Sequence, residues 1–181
     1  MDQNSYHYSG SDIRKMALAS LFAALIAVGA YLKIPIPFSP VPITLQVFFV
    51  FLAGAMLGAR WGTLSVIVYL LLGIIGLPVY SGGTSGLGML LGPTGGYLVS
   101  FAIAAFLIGT LADKKGTENM LLNASFMLAG LFIIYLLGTS YLAFAANITF
   151  ENALKLGVLP FLPADLLKLA LASFIVSKYS L

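Results

Sequence analysis

The sequence contains no cysteine in 181 residues, and charged residues are scarce. Without cysteine the chain can form no disulfide, no thiolate nucleophile and no cysteine-based metal site. Only 8% of its residues are charged and 60% are hydrophobic, whereas soluble domains average roughly 25% charged residues. So few charges cannot cover the surface of a soluble protein. The composition therefore predicts an integral membrane protein.

Signatures of catalysis and nucleotide binding are also missing. The sequence has no GxxxxGK[ST] phosphate loop, no HExxH and no GxSxG. Its one histidine, His7, lies in a polar tail, Met1–Asp12, where solvation is the expected state. The nine basic residues do not form a patch of the kind that binds nucleic acid. We therefore predict no enzyme, no cofactor, no metal site and no nucleic-acid partner.

Long apolar runs predict an all-α membrane protein with six transmembrane helices in a single domain, residues 1–181. The runs are continuously apolar, whereas transmembrane strands alternate apolar and polar residues. A spanning helix needs roughly 20 residues, so six spans and short connections use nearly the whole chain. After the polar tail at 1–12, the predicted spans cover about 16–32, 43–57, 63–77, 95–112, 119–144 and 164–177.

The basic residues predict the orientation of these spans. Six spans place both termini on one side, and an excess of lysine and arginine marks the cytoplasmic side. The side opposite the termini has only Lys33 and Lys155 outside the spans. Both termini are therefore predicted to be cytoplasmic, with the proline-rich loop Lys33–Pro42 and the connections Leu77–Tyr97 and Asn147–Pro163 facing outward. The basic residues on the side of the termini are Arg14, Lys15, Arg60, Lys114, Lys115 and Lys178.

A glycine-rich stretch, LPVYSGGTSGLGMLLGPTGGY at Leu77–Tyr97, lies between two apolar runs. Glycine and proline at this density predict irregular backbone. In a membrane such backbone is tolerated only where protein covers it or where it lines a cavity. We interpret the stretch as the cap of an outward-facing ligand cavity. A tight helix connection without a ligand is the alternative.

Two charged residues, Asp165 and Lys168, fall in the first turn of the last predicted span. They are three residues apart and so share a helix face. Ionisable residues inside a span are costly and usually face the protein interior or a cavity. They are either a structural ion pair, with Asp165 favoured by the helix dipole, or a polar anchor for a small ligand. Tyr80, Tyr97 and Tyr141 are predicted at the same depth.

Small residues recur every fourth position in the first span, at Ala19, Ala23 and Ala27. This spacing places three small side chains on one helix face, which permits close helix packing in lipid. The face either packs inside the chain or docks on a partner membrane protein, and the pattern leaves both interpretations open.

Three segments together resemble the BioY family, the biotin-binding S components of energy-coupling-factor (ECF) transporters. They are PIPFSPVPITLQ at Pro35–Gln46, GLPVYSGGTSGLGMLLGPTGGYL at Gly76–Leu98, and PADLLK at Pro163–Lys168. The resemblance runs from the first span to the last. It implies a six-helix bundle in a prokaryotic plasma membrane, with an outward pocket for biotin. It also implies that the alanine face docks on a transmembrane coupling subunit, which works with two cytosolic ATPase subunits.

The resemblance carries Asp165 and Lys168 over as ligand-binding residues. Biotin has an apolar bicycle, a ureido group with two N–H donors and one carbonyl, and a carboxylate tail. Asp165 is expected to accept from a ureido N–H, and Lys168 to donate to the ureido oxygen or, alternatively, to the carboxylate. Backbone and hydroxyl groups of the glycine-rich stretch are expected to complete the site. The predicted biotin-binding residues are Asp165, Lys168, Ser81, Gly82, Gly83, Thr84, Gln46, Tyr97 and Tyr141.

A self-sufficient secondary transporter for a vitamin-like solute is the alternative function. Such a transporter favours an internal repeat with paired broken spans. The sequence shows one glycine-rich break and no clear repeat, which favours the S component. A membrane enzyme has no catalytic constellation to support it.

Overall fold

The structure, a computed structural model, describes residues 10–179 and is almost entirely helical. His7 lies outside the described residues, as does most of the predicted polar tail. The first helix begins at Gly10 rather than near Met16, so the predicted tail was too long. In chain order the elements are α1 (Gly10–Tyr31), β1 (Lys33–Ile34), β2 (Ile43–Thr44), α2 (Gln46–Ile74), α3 (Leu87–Leu91), α4 (Gly95–Lys115), α5 (Met120–Ala145), α6 (Phe150–Gly157) and α7 (Leu162–Lys178).

Helix α2 reverses its direction at Gly58, the one residue inside it with non-helical backbone angles (φ 75°, ψ −177°). A side chain at Gly62 would overlap the backbone of Ala53 and Gly54. In a continuous helix those residues would lie roughly 12 Å or more apart at 1.5 Å per residue. Residues 46–57 and 59–74 therefore form two arms that fold back against each other.

The C-terminal end of α4 stabilises the reversal of α2 through a hydrogen bond. The backbone N–H of Ala59, the first residue of the second arm, donates to a carboxylate oxygen of Asp113 at 2.9 Å. There is no room for a side chain at position 58, because a Cβ on Gly58 would overlap the carboxylate of Asp113. Asp113 thus caps the N-terminus of the second arm, where a carboxylate is favoured by the helix dipole.

Among residues 10–179, four helices are long and apolar enough to cross a membrane. They are α1 from Asp12, α2, α4 and α5. The shorter α6 and α7 meet the same test as a pair bent by 56°, which makes five. The sequence predicted six spans. The count of five is lower because α2 is counted as one helix, although its chain direction reverses at Gly58.

The predicted connections contain short regular elements. Within the proline-rich loop, β1 and β2 form an antiparallel ribbon in which Lys33 pairs with Thr44 and Ile34 with Ile43. The glycine-rich stretch contains α3, and the connection after α5 contains α6, which Thr149 caps by accepting from the Asn152 N–H. These elements lie at one end of the helices, opposite the turn at Gly58.

The core forms where helices approach through small residues. Side chains added at Gly54 or Gly109 would meet the backbone of α4 or α2, respectively, so these two helices touch almost backbone to backbone. Small residues permit such close approach in membrane helices. Helix α1 packs on the first arm of α2 and buries Ala19 and Ala23, which are 4% and 2% exposed.

The burial of Ala19 and Ala23 bears on the predicted docking face. Both side chains are covered by this chain, and Ala27 is half-buried. The alanine face therefore packs inside this chain at Ala19 and Ala23, and its docking on a partner membrane protein stays a prediction.

Candidate functional site

A cavity of about 300 Å³ lies at the end of the bundle that holds the ribbon and the glycine-rich connection. Its volume is at the lower limit of the roughly 300–1,000 Å³ that small-molecule sites occupy. The walls come from the ribbon, α2, the glycine-rich connection, α4, α5 and α7. Its polar lining residues are Lys33, Ser39, Thr44, Gln46, Tyr80, Ser81, Thr94, Tyr97, Tyr135, Asp165 and Lys168, and prolines, aliphatic residues and Phe101 and Phe161 supply most of the rest.

Asp165 and Lys168 form a buried ion pair on α7. The Nζ atom of Lys168 lies 2.6 Å from Oδ1 of Asp165. Their side chains are 5% and 9% exposed, respectively, and both residues line the cavity. Helix α7 begins at Leu162 with Pro163 in its first turn, and the three-residue spacing brings the two side chains to one face. The sequence alternatives, ion pair and ligand anchor, are therefore compatible, since the pair faces the cavity.

The second oxygen of Asp165 has its own donor. The hydroxyl of Tyr135, on α5, donates to Oδ2 at 2.8 Å. A carboxylate has about four acceptor positions, and an ammonium has three donors. After these two contacts Asp165 can accept further hydrogen bonds and Lys168 can donate two more. The group can therefore bind a ligand that offers both a donor and an acceptor.

Gln46 stands at the start of α2 and is 3% exposed. Its Nε2 donates to the hydroxyl of Tyr69 at 2.6 Å, and its Oε1 accepts from Thr44 at 3.1 Å. The amide is thus oriented by two neighbours, yet Gln46 still lines the cavity. One amide hydrogen and one acceptor position of the side chain remain for a ligand.

Tyr97 lines the cavity with its ring, while its hydroxyl is used by the protein. The hydroxyl donates to the carbonyl of Gly157 at 3.0 Å and lies 3.2 Å from Oγ1 of Thr139. The ring lies against Gly138, where a Cβ would overlap it. Tyr97 therefore ties α4 to α5 and α6 and offers a ligand an aromatic surface.

The glycine-rich connection contributes two adjacent lining residues, Tyr80 and Ser81. Tyr80 is fully buried, donates to the carbonyl of Leu70 at 2.7 Å, and contacts the Tyr69 ring edge-to-face at 5.7 Å. Burial raises the pKa of the Tyr80 hydroxyl above its ordinary value. The Oγ of Ser81 is buried and has no hydrogen-bond partner, so a ligand acceptor would satisfy it.

The rest of the predicted glycine cradle has other partners. The N–H of Gly82 donates to Ala30 at 3.3 Å and that of Gly83 donates to Tyr80 at 2.9 Å. Thr84 is exposed, and its hydroxyl donates to the carbonyl of Ser81 at 3.2 Å. None of these three residues is among those that line the cavity. They shape the connection and hold Ser81 in place.

Tyr141 also lies outside the cavity lining. Its hydroxyl contacts the carbonyls of Leu90 and Leu91, at 3.3 Å and 3.2 Å. Tyr141 therefore fastens α3 to α5. Of the nine predicted site residues, the structure brings five together around the cavity: Gln46, Ser81, Tyr97, Asp165 and Lys168.

Tyr135 and Lys33 are among the cavity residues that were absent from the predicted site. Tyr135 was placed in the fifth span but not in the site, and Lys33 was counted only as an outward basic residue. A tyrosine within a long apolar run is a usable signal for Tyr135, since its hydroxyl needs a partner. No sequence pattern indicates the direction of Lys33. Within residues 10–179, no group of three His, Cys, Asp or Glu side chains is placed to hold a metal.

The fold and the cavity define a multi-pass α-helical membrane protein with a charged, ligand-sized site at one end of the bundle. The BioY family model matches residues 1–180, and the chain belongs to the BioY family. It is 47% identical to the biotin transporter BioY of Thermotoga maritima over 166 residues, which are 92% of this chain and 95% of the relative. It is 43% identical to the probable biotin transporter BioY of Pyrococcus horikoshii, over 91% of this chain and 95% of the relative.

A solved structure is also similar. It is the crystal structure of the S-component for biotin from an ECF-type ABC transporter, with a TM-score of 0.88 and 34% sequence identity. The match covers 94% of this chain and 93% of that chain. The elements that build the cavity here therefore belong to a fold that is already known to occur in a biotin S component.

Proposed function

We propose that this chain is the biotin-binding membrane component of an ECF uptake transporter in a prokaryotic cell membrane. The observation that carries the proposal is the match, at a TM-score of 0.88 over 94% of the chain, to a biotin S component. The cavity supplies suitable chemistry, because an apolar bicycle with a polar ureido edge needs apolar walls and one charged, hydrogen-bonding patch. The protein binds and releases biotin unchanged.

The Asp165–Lys168 pair is proposed to hold the ureido group. Asp165 accepts from a ureido N–H with a lone pair that Lys168 and Tyr135 leave open. Lys168 donates to the ureido oxygen with one of its remaining hydrogens. Each of the two buried charges is already compensated by the other before biotin enters, so biotin binding does not have to offset the desolvation cost of an unpaired charge. Gln46 and Ser81 provide further hydrogen bonds, and Tyr97 an apolar wall.

We propose six membrane crossings with both termini in the cytoplasm. The crossings are α1, the two arms of α2, α4, α5 and α7. The reversal at Gly58 and the 17-residue α7, extended by its bent junction with α6, support the count. With six crossings, the chain order assigns six basic residues to the end opposite the cavity: Arg14, Lys15, Arg60, Lys114, Lys115 and Lys178. The excess of basic residues there supports a cytoplasmic position for that end and an outward-facing cavity.

We further propose that transport by this chain requires partner subunits that hydrolyse ATP. No nucleotide-binding loop is present in the sequence, so ATP must be hydrolysed elsewhere, by two cytosolic ATPase subunits that act through a transmembrane coupling subunit. The similar solved structure is an S-component from an ECF-type ABC transporter, which supports an assembly of this kind.

Calorimetry on the purified chain tests the binding function. Without ATP or partners, biotin is expected to saturate one site, while thiamine and riboflavin give no saturable heat. Saturation by thiamine or riboflavin in place of biotin would contradict the substrate assignment. Biotin uptake by proteoliposomes that contain this chain alone, at a rate equal to that with the ATPase module, would contradict the need for partners.

A further inference from the structure

Lys33 extends from the ribbon into the cavity. It opens β1, opposite Thr44 in β2, and its side chain lines the cavity wall. Its ammonium lies directly on the backbone of Gly82, where a Cβ would overlap Nζ. The bare glycine therefore leaves room for the ammonium of Lys33, which is exposed and so marks the mouth of the cavity. Ser81, the residue before Gly82, lines the same cavity.

The two polar groups at this mouth are donors without acceptors. Lys33 forms no ion pair or hydrogen bond through its ammonium with any residue in the described range 10–179. The neighbouring Ser81 hydroxyl is buried and has no partner. A buried hydroxyl left unsatisfied costs free energy, so both groups are suited to an acceptor that arrives with the ligand.

The charge of the cavity points to an anionic acceptor. Its charged lining residues are two lysines, Lys33 and Lys168, against one carboxylate, Asp165, which is a formal charge of +1. Lys168 already has its carboxylate partner at 2.6 Å. The uncompensated positive charge is therefore the one on Lys33, and a ligand with one negative charge neutralises it.

We propose that Lys33 and Ser81 form a carboxylate-binding subsite at the cavity mouth, which selects an acidic ligand over a neutral one. The inference rests on the proposed function, and it assigns the biotin carboxylate to Lys33 rather than to Lys168. Lys33 is exposed whereas Lys168 is buried, so the carboxylate keeps part of its hydration and its burial costs little. Lys168 is then left for the ureido oxygen.

The test compares biotin with biotinol, in which a hydroxymethyl group replaces the carboxylate. Dissociation constants are measured by calorimetry for the unchanged protein, Lys33→Gln and Ser81→Ala. The unchanged protein should bind biotin several-fold more tightly than biotinol. Lys33→Gln should weaken biotin binding by roughly two- to fivefold, the scale of an exposed ion pair, and should leave biotinol binding nearly unchanged. Ser81→Ala should give the same pattern with a smaller change.

Two further variants complete the experiment. Lys155→Gln is the matched control, because Lys155 is an exposed lysine on α6 outside the cavity lining, and it should keep the preference for biotin. Lys33→Arg retains the charge and should also keep it. Rising salt should weaken biotin binding more than biotinol binding in the unchanged protein, which is a readout that needs no variant.

The outcomes separate the subsite from the proposed function. Equal losses for biotin and biotinol in Lys33→Gln would show that Lys33 acts on the fold, and an unchanged biotin preference would place the carboxylate elsewhere. Either result overturns the subsite while biotin binding stands. An unchanged protein that binds neither compound would contradict the proposed function itself.

Discussion

The hydroxyl of Tyr135 on α5 donates to Oδ2 of Asp165 on α7 at 2.8 Å. Because Lys168 occupies the other carboxylate oxygen, Asp165 is held from two sides by two different helices. Such a carboxylate cannot rotate freely, so its orientation beside the cavity is fixed before a ligand arrives. Fixing a binding group in advance lowers the entropy cost of association.

Removal of this hydroxyl is the first prediction. Tyr135→Phe should weaken biotin binding on the order of tenfold, because Asp165 loses a donor that both orients it and disperses its charge. The aromatic volume is retained, so the protein should stay folded. Tyr141→Phe is the control, since that hydroxyl contacts the carbonyls of α3, and its affinity should change less than twofold. Equal losses in both variants would argue against a specific role for Tyr135.

The ion pair gives the second prediction. Asp165→Asn and Lys168→Met should each weaken biotin binding by about 1.5–3 kcal/mol. Each should also lower the thermal midpoint, because a buried charge loses its partner. The double variant should recover much of the midpoint and remain weak in binding, since both ligand contacts are gone. Thermal unfolding and calorimetry on all three variants separate these effects. Affinity that returns in the double variant would mean that the pair is purely structural.

The sequence predicted the helical membrane class, the irregular connections between the long helices and the shared face of Asp165 and Lys168. Each rests on a local signal: apolar run length, glycine and proline density, or three-residue spacing. Gln46, which follows the proline-rich loop, and Ser81, which lies in the glycine-rich connection, were predicted as ligand-binding residues, and both line the cavity. Local signals of this kind survive folding because neighbours in the chain stay neighbours in the structure.

Contacts between distant segments were beyond the sequence. The hydroxyls of Tyr97 and Tyr141 were expected to face a ligand, but each finds protein carbonyls on another element. The amides of Gly82 and Gly83 likewise bond to Ala30 and Tyr80. Which polar group meets a ligand depends on the protein acceptors that tertiary packing brings within hydrogen-bond distance. Distances between segments far apart in the chain cannot be derived from a single sequence.

The third prediction concerns the reversal in α2. Gly58→Ala should lower the free energy of unfolding by about 1–3 kcal/mol or more, because φ is +75° and the new methyl group would overlap Asp113. Asp113→Ala should cost about 1 kcal/mol, the worth of a helix cap. Both effects are read from thermal unfolding in detergent. Biotin affinity of the folded fraction should not change, since the reversal lies at the far end from the cavity.

Gly116→Ala is the matched control for this site. Its φ is +76°, nearly that of Gly58, but a Cβ there meets nothing within 4 Å. It therefore reports the backbone strain alone, and Gly58→Ala should be the more damaging of the two. A similar midpoint for both variants would show that contact with Asp113 contributes nothing.

The last prediction concerns the alanine face of α1, which the sequence pattern offered either to the core or to a partner. Ala23 is 2% exposed and the adjacent Ala24 is exposed, so the two positions separate the alternatives. Ala23→Trp should overpack the contact between α1 and α2 and lower the thermal midpoint by several degrees, because overpacking a core costs about 1–3 kcal/mol. Ala24→Trp should leave the midpoint unchanged. Thermal unfolding is followed by co-purification with the coupling subunit. An Ala23→Trp protein that is stable and binds biotin, yet fails to co-purify, would show that this face docks on the coupling subunit.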